Sequence, residues 1–198
     1  MTSERNKQIV LMNPDQFWLE GAMACIAGTM TPLIQIQTCR TLSDLKHILQ
    51  SGGVTGILTS LTGRGESLSD WLAFIEWYAT LAPEGRPELI CLSDFNVAAF
   101  PGGEHIRRAS SRMRVSELVT SINRMQKSQQ SGMTAVKHSR HRQVTVKELQ
   151  IVDFLAQGLS GAEIAGILGV PAGQIGAYKW RALSLLGMGS IAEYIRLR

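Results

Sequence analysis

Cysteine is scarce in this sequence, and no apolar run is long enough to cross a membrane. The chain has three cysteines, placed far apart, which excludes a disulfide-stapled fold and is typical of a reducing compartment. None lies at zinc-ligand spacing from another cysteine or a histidine, so we expect no structural metal. The longest nearly apolar stretch, residues 21–30, is far shorter than the roughly 20 residues of a spanning helix. The opening residues lack the apolar core of a signal peptide, and we therefore expect a soluble, cytoplasmic protein that does not bind a membrane.

Charge is unevenly distributed along the 198 residues, whose net charge is +4. Residues 1–125 hold 11 Lys and Arg against 12 Asp and Glu, whereas residues 126–198 hold 9 against 4. A basic segment joined to a near-neutral one indicates that one end of the protein meets a polyanion such as a nucleic acid. The alternative is that some of these charges only solvate a linker.

Length and pattern divide the chain into two units and a linker. Residues 1–125 alternate short apolar runs with helical periodicity, whereas residues 143–198 show helical periodicity only. Between them, residues 126–142 are polar and rich in Ser, Gln and basic side chains, which is typical of a flexible linker. Its histidines, His138 and His141, have no third ligand nearby, so we interpret them as linker residues rather than as a metal pair.

The first unit is predicted to be an α/β domain with a parallel sheet, because its strands alternate with helices. Strands are expected at residues 8–12, 32–39, 55–61 and 89–92. Helices are expected after the turn Asn13-Pro14-Asp15, after Ser43 as N-cap, over residues 69–81 and over residues 115–125. The aromatic face of the helix at 69–81 is interpreted as core rather than as a cofactor site.

The second unit is predicted to contain four helices. Capping-box spacing marks the starts of the first two, at Thr145 with Glu148 and at Ser160 with Glu163. Pro171 opens the third helix, which ends at Gly187, and a short fourth helix covers about residues 190–198. A helix, a tight turn and a second helix have the geometry of a helix-turn-helix.

Five segments of this unit form a motif set: Val144-Thr145-Val146-Lys147-Glu148, Leu155-Ala156-Gln157-Gly158-Leu159-Ser160, Glu163-Ile164-Ala165, Leu168-Gly169-Val170 and Leu186-Gly187. Over about residues 143–195 they closely resemble the LuxR-type (FixJ/NarL) helix-turn-helix, and the third helix is similar to that of BvgA- and RcsB-like response regulators. The resemblance implies a bacterial transcriptional regulator of double-stranded DNA. It also implies that the third helix enters the major groove and that the fourth helps to pair two domains. Gly176 stands where the family usually has a small polar or basic residue.

The first unit is similar in layout to the flavodoxin-like receiver domain of response regulators. Leu19-Glu20-Gly21 matches the start of the first receiver helix, which places Asn13 and Pro14 at the acidic pair that holds Mg²⁺ and Ser60 at the phosphorylated Asp. Ser93 matches the family's Ser/Thr, and the family's Lys falls near Ser111 or Arg112. Phosphoryl transfer needs a carboxylate and a metal held by further carboxylates. The resemblance therefore implies a degenerate, phosphorylation-independent receiver that serves as a dimerisation or partner platform or as a small-ligand pocket, as in auxiliary regulators such as RcsA and BglJ.

The predicted DNA-contacting side chains belong mainly to the third helix. At about 100° per residue, Gln174, Tyr178 and Arg181 share a face, and Lys179 and Trp180 flank it. Lys179 and Arg181 suit phosphate or a guanine edge, and Gln174 suits adenine or phosphate. Trp180 has two alternatives: it stacks on a sugar or a thymine methyl, or it belongs to the core. Lys147, at the start of the first helix, is predicted to contact the DNA backbone.

Two functions are compatible with these observations. The first is a DNA-binding regulator that acts as a homodimer or as a heterodimer with an RcsB-like regulator through its receiver-like domain. The second is an antagonist that pairs with another regulator and binds DNA weakly. We expect neither enzyme activity nor a cofactor, because no catalytic constellation is readable and Gly63-Arg64-Gly65 alone does not make a phosphate loop.

Overall fold

The computed structural model describes residues 7–28, 34–128 and 142–196. Its first unit is built on a five-stranded sheet in which every strand pair is parallel, in the order β2-β1-β3-β4-β5. The strands are β1 (Lys7–Met12), β2 (Ile34–Cys39), β3 (Val54–Ser60), β4 (Glu88–Leu92) and β5 (Ile106–Ala109). The predicted parallel α/β architecture is confirmed. The edge strand β5 was not predicted, because it carries Arg107 and Arg108 in a run of only four residues.

Helices cover both faces of the sheet, as in doubly wound folds. They are α1 (Gln16–Ala27), α2 (Leu42–Ser51), α3 (Leu68–Ala79) and α4 (Val115–Ser128). One face buries Ile9, Leu11 and Leu58 among the apolar residues of α1 and α4. The other face buries Val10 and Ile57 together with the aromatic face of α3, which is core as predicted. Between β4 and β5 the chain forms two short 3-10 turns, Val97–Ala99 and Gly103–His105, in place of an α-helix.

The cap of α2 corrects the sequence prediction. Thr41, not Ser43, is the N-cap, and its hydroxyl accepts a hydrogen bond from the backbone N–H of Asp44 at 3.0 Å. Glu66, from the loop before α3, accepts hydrogen bonds from the N–H groups of Leu42 at 2.6 Å and Ser43 at 3.1 Å. A carboxylate at a helix N-terminus satisfies orphan donors and complements the helix dipole. Thr41 therefore caps the first turn of α2, and Glu66 satisfies two further backbone N–H groups there.

Four helices form the second unit: α5 (Val146–Ala156), α6 (Gly161–Leu168), α7 (Ala172–Leu186) and α8 (Ile191–Ile195). Both predicted capping boxes are present, at the starts of α5 and α6. Gly169 and Gly187 adopt φ of +61° and +73°, the left-handed conformation that ends α6 and α7. Ile151, Ile164 and Ile175 form the buried centre that joins the first three of these helices.

The two units share one apolar interface. The buried cluster on the α2–α3 face continues without a break into the second unit through Leu149, Val152 and Leu183. The loop after β4 makes the polar contacts: the backbone N–H and the side-chain amide of Asn96 donate to the last carbonyls of α7, at 2.8 and 3.0 Å. Val144 N–H donates to the carbonyl of Ala99 at 2.8 Å. The segment that replaces a helix between β4 and β5 thus holds the second unit in place.

Most of the predicted linker lies outside the described residues. Helix α4 continues to Ser128, and residues 129–141, which include His138 and His141, are not among those described. Within the described ranges, no helix combines the length and the apolar character that crossing a bilayer requires.

Candidate nucleic-acid interface

Helix α7 has one buried side and one fully exposed side. Ile175, Ala182, Leu183 and Leu186 are buried, which is the side predicted to pack into the domain. The side furthest from this core contains residues at helical spacing that are all exposed: Gly173, Gly176, Ala177, Trp180 and Ser184. The outermost face therefore consists of small residues around one large aromatic ring, with no charged side chain on it.

Trp180 is 72% exposed, so it does not belong to the core, and its stacking on a sugar or a thymine methyl stays a prediction. A tryptophan in the core would be buried, as Trp71 is. An exposed indole presents a large apolar face and an N–H donor to a partner. Gly176 places no side chain beside it, and a Cβ at that position would meet nothing within 4 Å. The Trp180 ring therefore has little side-chain bulk beside it, so a binding partner can approach the ring closely.

Gln174, Tyr178 and Arg181 do share a face, and they contact one another along it. The Tyr178 hydroxyl lies 3.3 Å from Oε1 of Gln174. The Arg181 guanidinium lies 6.0 Å from the centroid of the Tyr178 ring, within the range of a cation–π contact. This row runs beside the outermost face, so the three side chains flank the Trp180 surface.

Arg181 also pairs with Glu148, a contact that sequence reasoning missed. Nη1 of Arg181 lies 3.1 Å from Oε1 of Glu148, whose side chain is only 1% exposed. The other Glu148 oxygen accepts from the backbone N–H of Thr145 at 2.8 Å and from its hydroxyl at 2.9 Å. Glu148 therefore closes the capping box of α5 and ties α5 to α7. A guanidinium has five N–H donors, so this contact leaves donors of Arg181 for another acceptor.

The two predicted lysine contacts are exposed. Lys179 is exposed on α7 at the helical spacing of Ile175 and Leu183, on the side of the helix away from the Gln174–Arg181 row, and Lys147 lies in the first turn of α5. Exposed ammonium groups on flexible stems suit phosphate contacts rather than base reading.

The carboxyl edge of the sheet holds the predicted remnants of a receiver site. Asn13 Oδ1 accepts from the N–H of Asp15 at 2.9 Å, and the Asp15 carboxylate caps α1. The carbonyl of Pro14 accepts from Nη2 of the Arg40 guanidinium at 2.9 Å. The Ser60 hydroxyl donates to the carbonyl of Thr62 at 2.8 Å.

These groups do not fit the Mg²⁺ that receiver domains bind. Magnesium requires several oxygen ligands in octahedral arrangement, usually with carboxylates among them. Here the one carboxylate in this group, Asp15, is directed at a helix N-terminus, and a guanidinium cation bonds the carbonyl of Pro14. Within the described parts of the chain, no group of three or more His, Cys, Asp and Glu side chains is placed to hold a metal.

Asp94 follows β4 and places a carboxylate at the carboxyl edge of the sheet. Its carboxylate accepts from the Ser111 hydroxyl at 2.6 Å, and this hydrogen bond, aided by Arg112 and Arg108, lowers its pKa. Ser93 is buried, and its hydroxyl accepts from the N–H of Phe95 at 3.0 Å. The side chains of Ser93 and Asp94 are thus also hydrogen-bonded to other groups of the protein.

Response regulators of known structure share this architecture. RcsB from Salmonella enterica serovar Typhimurium, bound to promoter P1flhDC in the presence of the phosphomimetic BeF3−, aligns over 97% of this chain and 97% of its own, with 16% identity and a TM-score of 0.64. A second structure, of the two-component response regulator RcsB–DNA complex, also covers 97% of each chain, with 16% identity and a TM-score of 0.56.

The first unit also has a match of its own among solved structures. The signal receiver domain of an HD domain-containing protein from Pseudomonas fluorescens Pf-5 covers 66% of this chain and 94% of its own, with 16% identity and a TM-score of 0.53. No protein-family model and no curated protein matches the chain. At these identities the likeness shows the fold alone, which is the receiver-like, flavodoxin-type α/β fold in the first unit.

Proposed function

We propose that this chain is a DNA-binding transcriptional regulator of LuxR (FixJ/NarL) type, with α6 and α7 as its helix-turn-helix. The observation that carries the proposal is the exposure of α7: its outermost face and Lys179 are open to solvent while the two units are in contact. The helix needs no separation of the units to reach a duplex. Two further observations support it, the basic charge of residues 126–198 and the fold shared with RcsB structures in complex with DNA.

We propose a role for each predicted contact from the chemistry of its side chain. Lys179 and Lys147 neutralise phosphates of the DNA backbone. Gln174 and Tyr178 reach base edges or phosphate. Arg181 donates to a DNA acceptor with the N–H groups that are not bonded to Glu148. Trp180 packs its ring against sugars or a thymine methyl group, since it lies on the outermost face of α7.

Salt dependence of DNA binding tests this proposal. A duplex is first selected from a random library with the full-length protein, and its affinity is then measured by fluorescence anisotropy at several salt concentrations. Lys179→Ala should weaken binding and reduce the slope of log K against log salt by about one phosphate contact. The matched control is Lys46→Ala, which removes the same charge from α2, on the first unit. An unchanged slope for Lys179→Ala, or failure to select any duplex, would contradict the proposal.

We further propose that DNA binding does not depend on phosphorylation of the receiver-like unit. The support is chemical: Ser60 offers a neutral hydroxyl at the acceptor position, and the oxygens of Asn13, Pro14 and Asp15 are engaged within the fold. Incubation with acetyl phosphate and Mg²⁺ should leave both the protein mass and the DNA affinity unchanged. A mass increase of one phosphoryl group, whether removed by hydroxylamine or not, would overturn this part of the proposal.

The receiver-like unit is proposed to pair with a second copy of this chain or with an RcsB-like regulator. Phe17 supports a pairing role, because it is 83% exposed at the start of α1. Mass measurement of the purified protein, alone and mixed with full-length regulators from the same cell, tests it. Phe17→Ser should shift the distribution toward monomer, whereas Ile167→Ser, an exposed apolar residue of α6, should not.

The alternative function, a partner-sequestering antagonist, is favoured by one observation. The outermost face of α7 has no charged side chain and contains two glycines, so it offers few groups that read bases or bind phosphate. Anisotropy on the partner's own operator separates the two functions. A regulator increases the affinity or the size of the complex on DNA, whereas an antagonist removes the partner from DNA in proportion to its concentration.

A further inference from the structure

A cavity of about 420 Å³ lies between the two units. One wall is formed by α3 together with Pro101 and Gly102 from the connection between β4 and β5. The opposite wall is formed by α5, with Tyr194 of α8. None of the lining residues belongs to α7, so a molecule in this cavity does not compete with a duplex for the same side chains.

The cavity combines apolar walls with two carboxylates. Leu72 and Ala79 of α3 face Leu149 of α5 across it, which provides the apolar contact area that small-molecule sites usually offer. Glu76 of α3 and Asp153 of α5 contribute one acidic residue to each wall, and Oδ2 of Asp153 also accepts a hydrogen bond from Nε2 of Gln157 at 2.9 Å. Among the described residues that line the cavity there is no Lys, Arg or His, so the charge of its lining is negative.

This charge pattern identifies the chemistry of a ligand. The half-buried Asp153 carboxylate attracts a cation more strongly than it would in open water, because the local dielectric beside an apolar wall is lower, and the exposed Glu76 adds a second negative charge. Two carboxylates on opposite walls favour a group that donates several hydrogen bonds, such as an ammonium or an amidinium. The apolar walls favour a hydrocarbon or aromatic body attached to that group.

We propose that this cavity binds a small organic cation with an apolar body, held between Glu76 on α3 and Asp153 on α5. The ligand contacts both units at once, so it binds their docked arrangement more tightly than a separated one. Occupancy therefore stabilises the docked arrangement by mass action. This proposal is independent of the DNA-binding function and stands or fails separately from it.

The test uses a matched pair of probes, 4-phenylbutylammonium and its neutral analogue 4-phenylbutanol, titrated into the full-length protein and followed by backbone amide NMR shifts. The ammonium should bind with a dissociation constant of about 1 mM or tighter, the range for a fragment of this size. The alcohol should bind about tenfold more weakly. The largest shifts should fall in α3 and in the first two turns of α5.

Two substitutions of equal shape assign the charge contacts. Glu76→Gln and Asp153→Asn should each weaken the ammonium about threefold, together accounting for its roughly tenfold advantage, and leave the alcohol unchanged. Glu84→Gln, an exposed acid outside the cavity, should change neither affinity. If Asp153→Asn lowers the stability of the protein, Glu76→Gln alone tests the charge contact, because Glu76 is exposed on α3 and its substitution should not affect folding. Equal affinity for the two probes, full affinity of Glu76→Gln, or shifts that avoid α3 and α5 would each overturn the proposal.

Discussion

The ion pair between Arg181 and Glu148 gives Arg181 a structural role that can be measured apart from DNA. Breaking a fully buried ion pair from one side costs about 3–5 kcal/mol, because the remaining charge is left without its partner. Here the Arg181 side chain is 43% exposed, so water screens the pair. The Glu148 carboxylate also keeps its two hydrogen bonds from Thr145 and its place at a helix N-terminus. We therefore expect Arg181→Ala to lower the free energy of unfolding by about 1–2 kcal/mol.

Urea unfolding of the full-length protein, followed by far-UV circular dichroism, measures this loss. For a chain of this size, a loss of 1–2 kcal/mol corresponds to a fall of roughly 2–8 °C in melting temperature. A double-mutant cycle with Glu148→Gln isolates the pair from the loss of each side chain, and the coupling free energy should be about 1 kcal/mol. Arg124→Ala, an exposed arginine of α4, is the matched control and should change stability little.

The reasoning fails if Arg181→Ala unfolds like the unmodified protein while its affinity for DNA falls. Arg181 would then act on the nucleic acid alone, and the contact with Glu148 would contribute nothing. A coupling free energy of zero in the cycle would have the same meaning. Loss of both stability and DNA affinity fits the proposed arrangement, in which one guanidinium serves Glu148 and a DNA acceptor.

Three further expectations concern single residues. Gly176→Ala should raise the free energy of unfolding by about 0.5–1 kcal/mol, since a Cβ there meets open space; a lower melting temperature would contradict this. Iodoacetamide should alkylate Cys25 before Cys39, because burial raises the pKa of the Cys39 thiol to about 12, and peptide mass mapping gives the order. The hydrogen bond from Ser111 lowers the pKa of Asp94, so this carboxylate stabilises the fold above its ordinary pKa, and the contribution is lost as pH falls through the lowered native value. Ser111→Ala should accordingly lose less stability than the unmodified protein on acidification below about pH 4, as measured by urea midpoints.

Features set by neighbours in sequence were predictable. The two capping boxes depend on residues three positions apart, so Thr145 with Glu148 and Ser160 with Glu163 identify the starts of α5 and α6 without any tertiary information. The buried side of α7 follows from helical periodicity in the same way. The sheet was predictable because its inner strands are apolar runs separated by turns and helices.

Features set by distant partners were not predictable. At the start of α2, the Thr41 cap depends on Asp44 only three positions away, but the contact of Glu66 with the backbone N–H of Ser43 joins residues 23 positions apart and has no local signal. The partner of Arg181 lies 33 positions away in sequence, on another helix. Strand β5 has no apolar run, since its place at the sheet edge leaves Arg108 exposed and lets Arg107 pair with Glu88. In each case the deciding contact forms only when separate elements pack together.

The connection between β4 and β5 links the first unit to the end of α7. In this chain that connection has no α-helix, and its residues Asn96 and Ala99 bond the second unit directly. The polar groups at the carboxyl edge of β1 and β3 are engaged within the fold and do not fit a metal. The first unit therefore contacts the second at two places close to the proposed DNA surface, the Asn96 contact at the end of α7 and the cavity wall on α5. Helix α5 carries Asp153 toward the cavity and Glu148 toward Arg181, so a ligand that fixes α5 also fixes the helix proposed to enter the groove.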